Sequence, residues 1–138
     1  MVKTLSMQDL RYLNLFEKIT KVKTRHCFNY NEMIVFAIPK KLISKALGKN
    51  AENLRKISQI VKRKIRIVAL PTGIEDAKGF FLKIVDPVAF KELEVKDDEI
   101  VITAGSSSKA ALIGRNKRRL LELQKIAEGF FNKGLRVA

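Results

Sequence analysis

The sequence has no tryptophan, one cysteine, one histidine and three prolines. A lone Cys27 excludes an internal disulfide and a cysteine-rich zinc site. His26 is the only imidazole, and it is the chain neighbour of Cys27 on a predicted strand. Adjacent strand residues point to opposite faces, so the two cannot form a nucleophile–base pair and are expected to be packing residues. No apolar run approaches the ~18 residues that span a bilayer. The first residues, MVKTLSMQDLRYLNLF, have no unbroken apolar stretch and no small-residue cleavage site, so no signal peptide is expected. The chain is thus expected to be cytoplasmic, without membrane association, cofactor, metal site or enzymatic activity. Acidic residues are also scarce: 14, against 28 Lys and Arg.

What is present fits a folded, strongly basic chain. Hydrophobic residues make up 46% of the 138, enough for a packed core in one ordinary domain or two small ones. The net charge of +14 points to an anionic partner. That charge is unevenly placed: residues 75–99 carry a net −4, leaving +18 for the rest. The basic field gathers in Lys40 to Arg66 and in Lys109 to Lys125.

These two basic segments repeat each other 66 residues apart. Leu47-Gly48-Lys49-Asn50 falls on Ile113-Gly114-Arg115-Asn116, and Leu54, Ile57, Ile60 and Val61 fall on Leu120, Leu123, Ile126 and Ala127. Both apolar sets have the spacing of an amphipathic helix. The same order of elements is predicted on either side of Pro71-Thr72-Gly73, giving domains 1–71 and 72–138 that pack on each other. Ser6 and Asp9 start a helix with Leu10, Leu13, Phe16 and Ile19 on one face. Lys21 to Tyr30 and Met33 to Ile38 read as strands. A short helix from Pro39 ends at Gly48, a second covers Glu52 to Lys62, and Lys64 to Leu70 is a strand. In the second half Ile74 to Val85 is helical, and Ala89 to Lys96 and Ile100 to Ala104 are strands. Ser106 to Ser108 cap a short helix ending at Gly114. A helix from Lys117 to Phe131 and a strand from Leu135 to Ala138 follow.

A short helix, a tight glycine turn and a second helix beside a strand resemble the KH nucleic-acid-binding domain in its type II element order. The KH pattern of Ile-Gly-x-x-Gly with an aliphatic three residues on reads here as Leu47-Gly48-Lys49-Asn50-Ala51 with Leu54, and as Ile113-Gly114-Arg115-Asn116-Lys117 with Leu120. Two such units in tandem, with segments RHCFNYNEMIVFAIP and GFFLKIVDPVAF, resemble the archaeal NusA-like transcription factors. The resemblance implies an α+β chain of two KH domains, each a three-stranded sheet covered on one face by three helices. It also implies binding of single-stranded RNA in transcription termination or antitermination, by a monomer with RNA polymerase as a further partner.

The residues suit that role. Glycine lets a phosphate approach the backbone, and the following helix offers free N–H groups at its positive end. Lys49 and Arg115 add charge. The expected RNA contacts are Gly48, Lys49, Asn50, Ala51 and Arg55 in the first half, and Gly114, Arg115, Asn116, Lys117 and Arg118 in the second. Arg66 and Arg136 on the last strands stand in second line. Leu47, Leu54, Ile113 and Leu120 form either a groove floor or ordinary core. Both turns lack the second glycine of the pattern. Ala51 is expected to lie already in the helix, where Ala is acceptable, and Lys117 either to block the groove or, as the Lys117-Arg118-Arg119 run favours, to reach a phosphate. Phe80, Phe81, Phe130 and Phe131 are expected in core or domain-interface packing rather than as stacking platforms. The Asp97-Asp98-Glu99 turn is expected to be solvated. Two other classes stay open: a KH scaffold docking on RNA polymerase or a ribonucleoprotein with little RNA affinity, and a helix–turn–helix reading duplex DNA.

Overall fold

Ser6 begins the first element as the sequence indicates. Its hydroxyl accepts from the Asp9 N–H (3.0 Å) while the Asp9 carboxylate accepts from the Ser6 N–H (3.2 Å), a reciprocal cap that starts helix α1, Met7–Thr20. The computed structural model describes residues 6–138, so the first five residues of the stretch read for a leader lie outside it. Leu13, Phe16 and Thr20 are the buried residues of α1, and Leu10 is 42% exposed. Steps of three residues drift about 60° round a helix, which carries Leu10 off the face centred on Leu13 and Phe16.

Strand β1 runs only from His26–Tyr30 and pairs antiparallel with β2, Met33–Ile38. The alternation continues back to Lys21, but His26 already lies opposite Ala37. Beyond Ile38 comes Pro39, which has no N–H to give, so residues 21–25 find no ladder. Asn31 and Glu32 both take positive φ (51° and 63°), which makes the two-residue hairpin turn. After a single 3-10 turn at Lys40–Leu42 the chain forms α2, Ile43–Leu47, then α3, Glu52–Val61, and returns as β3, Ile65–Ala69. Strand β3 lies parallel to β2, so the sheet order is β1-β2-β3 and the connection must cross over the sheet. The α2–α3 pair is that crossover. Phe16 stacks on Phe36 (ring centroids 4.3 Å apart), and Leu13, Cys27, Ile34, Ile38, Ala46, Ile57 and Ile65 complete the core.

The order repeats after Leu70. Helix α4 covers Ala77–Val85, strands β4 and β5 cover Glu92–Val95 and Glu99–Thr103, α5 covers Ser106–Ile113, α6 covers Arg118–Phe131 and β6 covers Gly134–Val137. The sheet is β4-β5-β6, with β5 and β6 parallel. Gly105, not a serine, precedes α5, and no side chain caps that helix. The serines stand in its first turn instead. Phe80, Phe81, Ile84, Ile100, Ile102, Leu112, Leu123, Ile126 and Leu135 are buried here. Of the two matched apolar stripes, Ile126 is buried but Ile60 is 59% exposed. Helix α3 ends one residue after Ile60, whereas α6 runs on to Phe131 and keeps Ile126 inside its length.

The chain divides into two compact units, one ending at Leu70 and the other spanning Pro71–Ala138. Each of these α+β units has a three-stranded sheet and three α-helices among the described residues, an arrangement consistent with tandem KH-like domains. No helix among the described residues is long and apolar enough to cross a membrane.

Candidate nucleic-acid interface

Each crossover is bent by a glycine turn, and the two turns share one backbone. Gly48 has φ 75° and ψ 179°, and Gly114 has φ 75° and ψ 173°. That region of conformational space is open essentially to glycine alone. Space adds to this, more tightly at the second turn than at the first. A Cβ on Gly48 would stand 2.9 Å from Asn53 Nδ2, and one on Gly114 would stand 2.6 Å from Arg119 Cγ and 3.1 Å from the Arg119 backbone nitrogen. The next-but-one residues, Asn50 and Asn116, are left-handed (φ 54° and 56°), a conformation Asn adopts readily. Each turn closes with a hydrogen bond of 3.2 Å, Ala51 N–H to the Gly48 carbonyl and Lys117 N–H to the Gly114 carbonyl.

Ala51 and Lys117 correct the expectation drawn from the sequence. Both are left-handed, at φ 58° and 60°, and precede the helix rather than belong to it. The position of the missing glycine therefore does require a positive φ. For a residue with a Cβ that conformation costs about 1–2 kcal/mol, and the surrounding turn imposes it twice.

Both α3 and α6 begin without a side-chain cap, and their first N–H groups, those of Glu52 and Arg118, donate to the carbonyls of Lys49 and Arg115 inside the turns, which sit at the positive end of each helix. A positive helix end beside a Cβ-free glycine suits an anion. Lys49, Asn50, Arg115, Asn116, Lys117 and Arg118 are all exposed around it. Arg55 does something different: its guanidinium donates to the carbonyl of Asn50 and so fastens the first turn. Its spacing, five residues after Asn50 and one helical turn into α3, is the only sign of this in the sequence. Lys40, Lys41 and Lys45, exposed on the segment leading to the first turn, are cations the residue-level expectation left out.

The register separates Arg66 and Arg136 from the turns. Ile65 and Ile67 lie opposite Ile34 and Phe36, whose side chains meet the helices, so Arg66 between them starts from the other face of the sheet. Arg136 stands likewise between Leu135 and Val137, and its guanidinium pairs with Glu99 at 3.2 Å. Leu54 packs against the core of its unit, and Leu47, Ile113 and Leu120 are half-buried. Cys27 is buried in that core. The ring of Phe80 lies 4.8 Å from that of Phe130 and 5.9 Å from that of Phe131, so these phenylalanines pack α4 against α6. In the acidic turn, the Lys133 ammonium donates to the carbonyls of Lys96 (2.9 Å) and Asp97 (2.6 Å).

No family model matches the chain. Over 92 residues, 67% of its length, it is 29% identical to the "Probable transcription termination protein NusA" of Methanococcus vannielii. That stretch is 51% of the relative, so the chain spans about half the length of the curated protein it matches. The similarity supports a NusA-like, KH-domain kinship. Among solved structures the chain resembles the one described as "Crystal structure of APE1850", with a TM-score of 0.69, covering 96% of this chain and 99% of that one. At 18% identity this likeness concerns the fold.

Proposed function

We propose that the chain binds single-stranded RNA as a factor in transcription termination or antitermination, built from two type II KH domains and acting by binding rather than catalysis. The observation that carries this reading is the glycine turn, made twice with the same backbone at the start of an uncapped helix. The similarity to a protein described as a probable termination factor supports the transcriptional side.

In this reading the phosphates of the strand sit against Gly48 and Gly114, where backbone N–H groups and the helix dipole meet them. Lys49 and Arg115 neutralise charge at the same place. The bases turn away from the phosphates, toward the half-buried Leu47, Ile113 and Leu120. The factor works in the cytoplasm, with RNA polymerase as its protein partner.

The test replaces Lys49 and Asn50 by Asp, Arg115 and Asn116 by Asp, and all four together. All are exposed, so circular dichroism should show folded proteins. RNA affinity is expected to fall at least ~10-fold in each pair and further in the combination, since phosphate contacts dominate such binding. RNA affinity left undiminished in the fourfold variant would remove the turns from the mechanism. Binding to polymerase by a chain with no RNA affinity would replace this reading with a protein-docking scaffold.

A further inference from the structure

The two turns have one backbone but different charge, and the difference lies where the helix begins. Among Gly48 to Asn53, Lys49 is offset by Glu52, the first residue of α3. Glu52 is exposed and paired with Lys56 at 3.8 Å, and Arg55 is engaged with the Asn50 carbonyl. Lys49 is thus the one uncommitted cation of that turn. Among Gly114 to Arg119 there is no acid and there are four cations. Arg119 is half-buried and paired with Glu122 at 3.2 Å, which leaves Arg115, Lys117 and Arg118 exposed and outside any ion pair among the described residues.

The start of α6 also breaks two local rules that the start of α3 keeps or breaks more mildly. A cation at the positive end of a helix is unfavourable, and Arg118 stands where α3 has the favourable Glu52. Lys117 holds a left-handed backbone with a long side chain where α3 has Ala51. Local disfavour of this kind is offset when an anion arrives, because a phosphate meets the dipole and the cations together.

We infer that the two turns divide the work: the second, through Lys117 and Arg118 beside Arg115, carries most of the electrostatic grip on the phosphates, and the first contributes backbone geometry with a single cation. The inference rests on the RNA-binding reading and assigns the salt-sensitive part of it to one site. The lysines ahead of the first turn, Lys40, Lys41 and Lys45, lie outside both turns and form a constant background.

Charge-matched variants of the full chain test this. Lys117→Ala with Arg118→Gln removes two charges from the second turn, and Lys49→Gln with Lys56→Gln removes one from the first turn and one from the helix that follows it. Ala at the left-handed position already occurs in this protein at Ala51, so the first variant introduces no new backbone demand. The probe is a mixed-sequence RNA strand of about 12 nucleotides, titrated across salt concentrations. Each lost phosphate contact lowers the slope of log K against log salt by about 0.7 for single strands. The second-turn variant is therefore expected to lose about 1.4 in slope and roughly 25-fold in affinity at 0.1 M salt. The first-turn variant, where one of the two lysines is already paired with Glu52, is expected to lose about 0.7 and roughly fivefold. Equal losses, or a larger loss in the first turn, overturn the division of labour while leaving RNA binding in place. An unaltered chain that does not bind the strand overturns the RNA-binding reading itself.

Discussion

A backbone angle at a single residue decides whether its side chain is a help or a cost. Ala51 and Lys117 sit at φ 58° and 60°, where glycine is at ease and a Cβ is not. Ala51→Gly and Lys117→Gly should each raise the urea midpoint of unfolding. The net gain is a few tenths to about 1 kcal/mol, because relief of the left-handed strain outweighs the extra freedom glycine has when unfolded. A lower midpoint in either variant would mean that the strain is already relieved in the native turn. The pattern of residue types did not reveal this. Ala is a strong helix former, and the sequence alone places it inside the helix that it actually precedes. Arg55 was legible as a cation but not as a fastening for Asn50, since its direction depends on where the turn puts that carbonyl.

Among the elements, the helices and strands with strong periodicity were legible, and their edges were not. Strand β2, the hairpin turn and the α2–Gly48–α3 order follow directly from apolar runs, asparagine and glycine. The five residues before β1 alternate as a strand does, yet hydrogen-bond partners run out at the end of β2, which no local pattern records. Arg66 and Arg136 lie on the last strands as expected, but the face each starts from is set by register with the neighbouring strand. Phe80 and Phe81 are buried and Phe130 and Phe131 half-buried against them, and this packing gives a prediction about α4 and α6. Phe80 is 4% exposed and touches three other rings, so Phe80→Ala should destabilise the second unit by about 3–5 kcal/mol. Unfolding monitored by near-ultraviolet circular dichroism would show it. Weaker RNA binding with an unchanged unfolding transition would place that ring on the binding surface instead.

At the scale of the whole molecule, charge is sorted by segment as the sequence indicates. The net −4 of residues 75–99 includes Glu92, Glu94 and Glu99 on and beside the β4–β5 hairpin, where Arg136 and Lys133 are already engaged. Polyanionic RNA should therefore leave this hairpin alone. In amide spectra recorded with and without an RNA strand, the largest shifts are expected at residues 48–51 and 114–117, and the smallest at residues 92–99. Shifts concentrated on the hairpin would place the binding face elsewhere. The 66-residue repeat supplied the two-unit plan and the matched turns, and the resemblance to KH domains gave them a role, whereas the inequality between the turns rests on which cations are paired, visible only with coordinates.

The shared backbone of the two turns makes them interchangeable parts. Their φ angles differ by no more than a few degrees, and both close on the same hydrogen bond of 3.2 Å. Side chains at 49 and 51, or at 115 and 117, can then vary without the scaffold registering the change. Such a duplicated chain can drift in grip strength at one site while the other stays fixed, and the same freedom is open to anyone who transplants Arg-Asn-Lys into the first turn or Lys-Asn-Ala into the second.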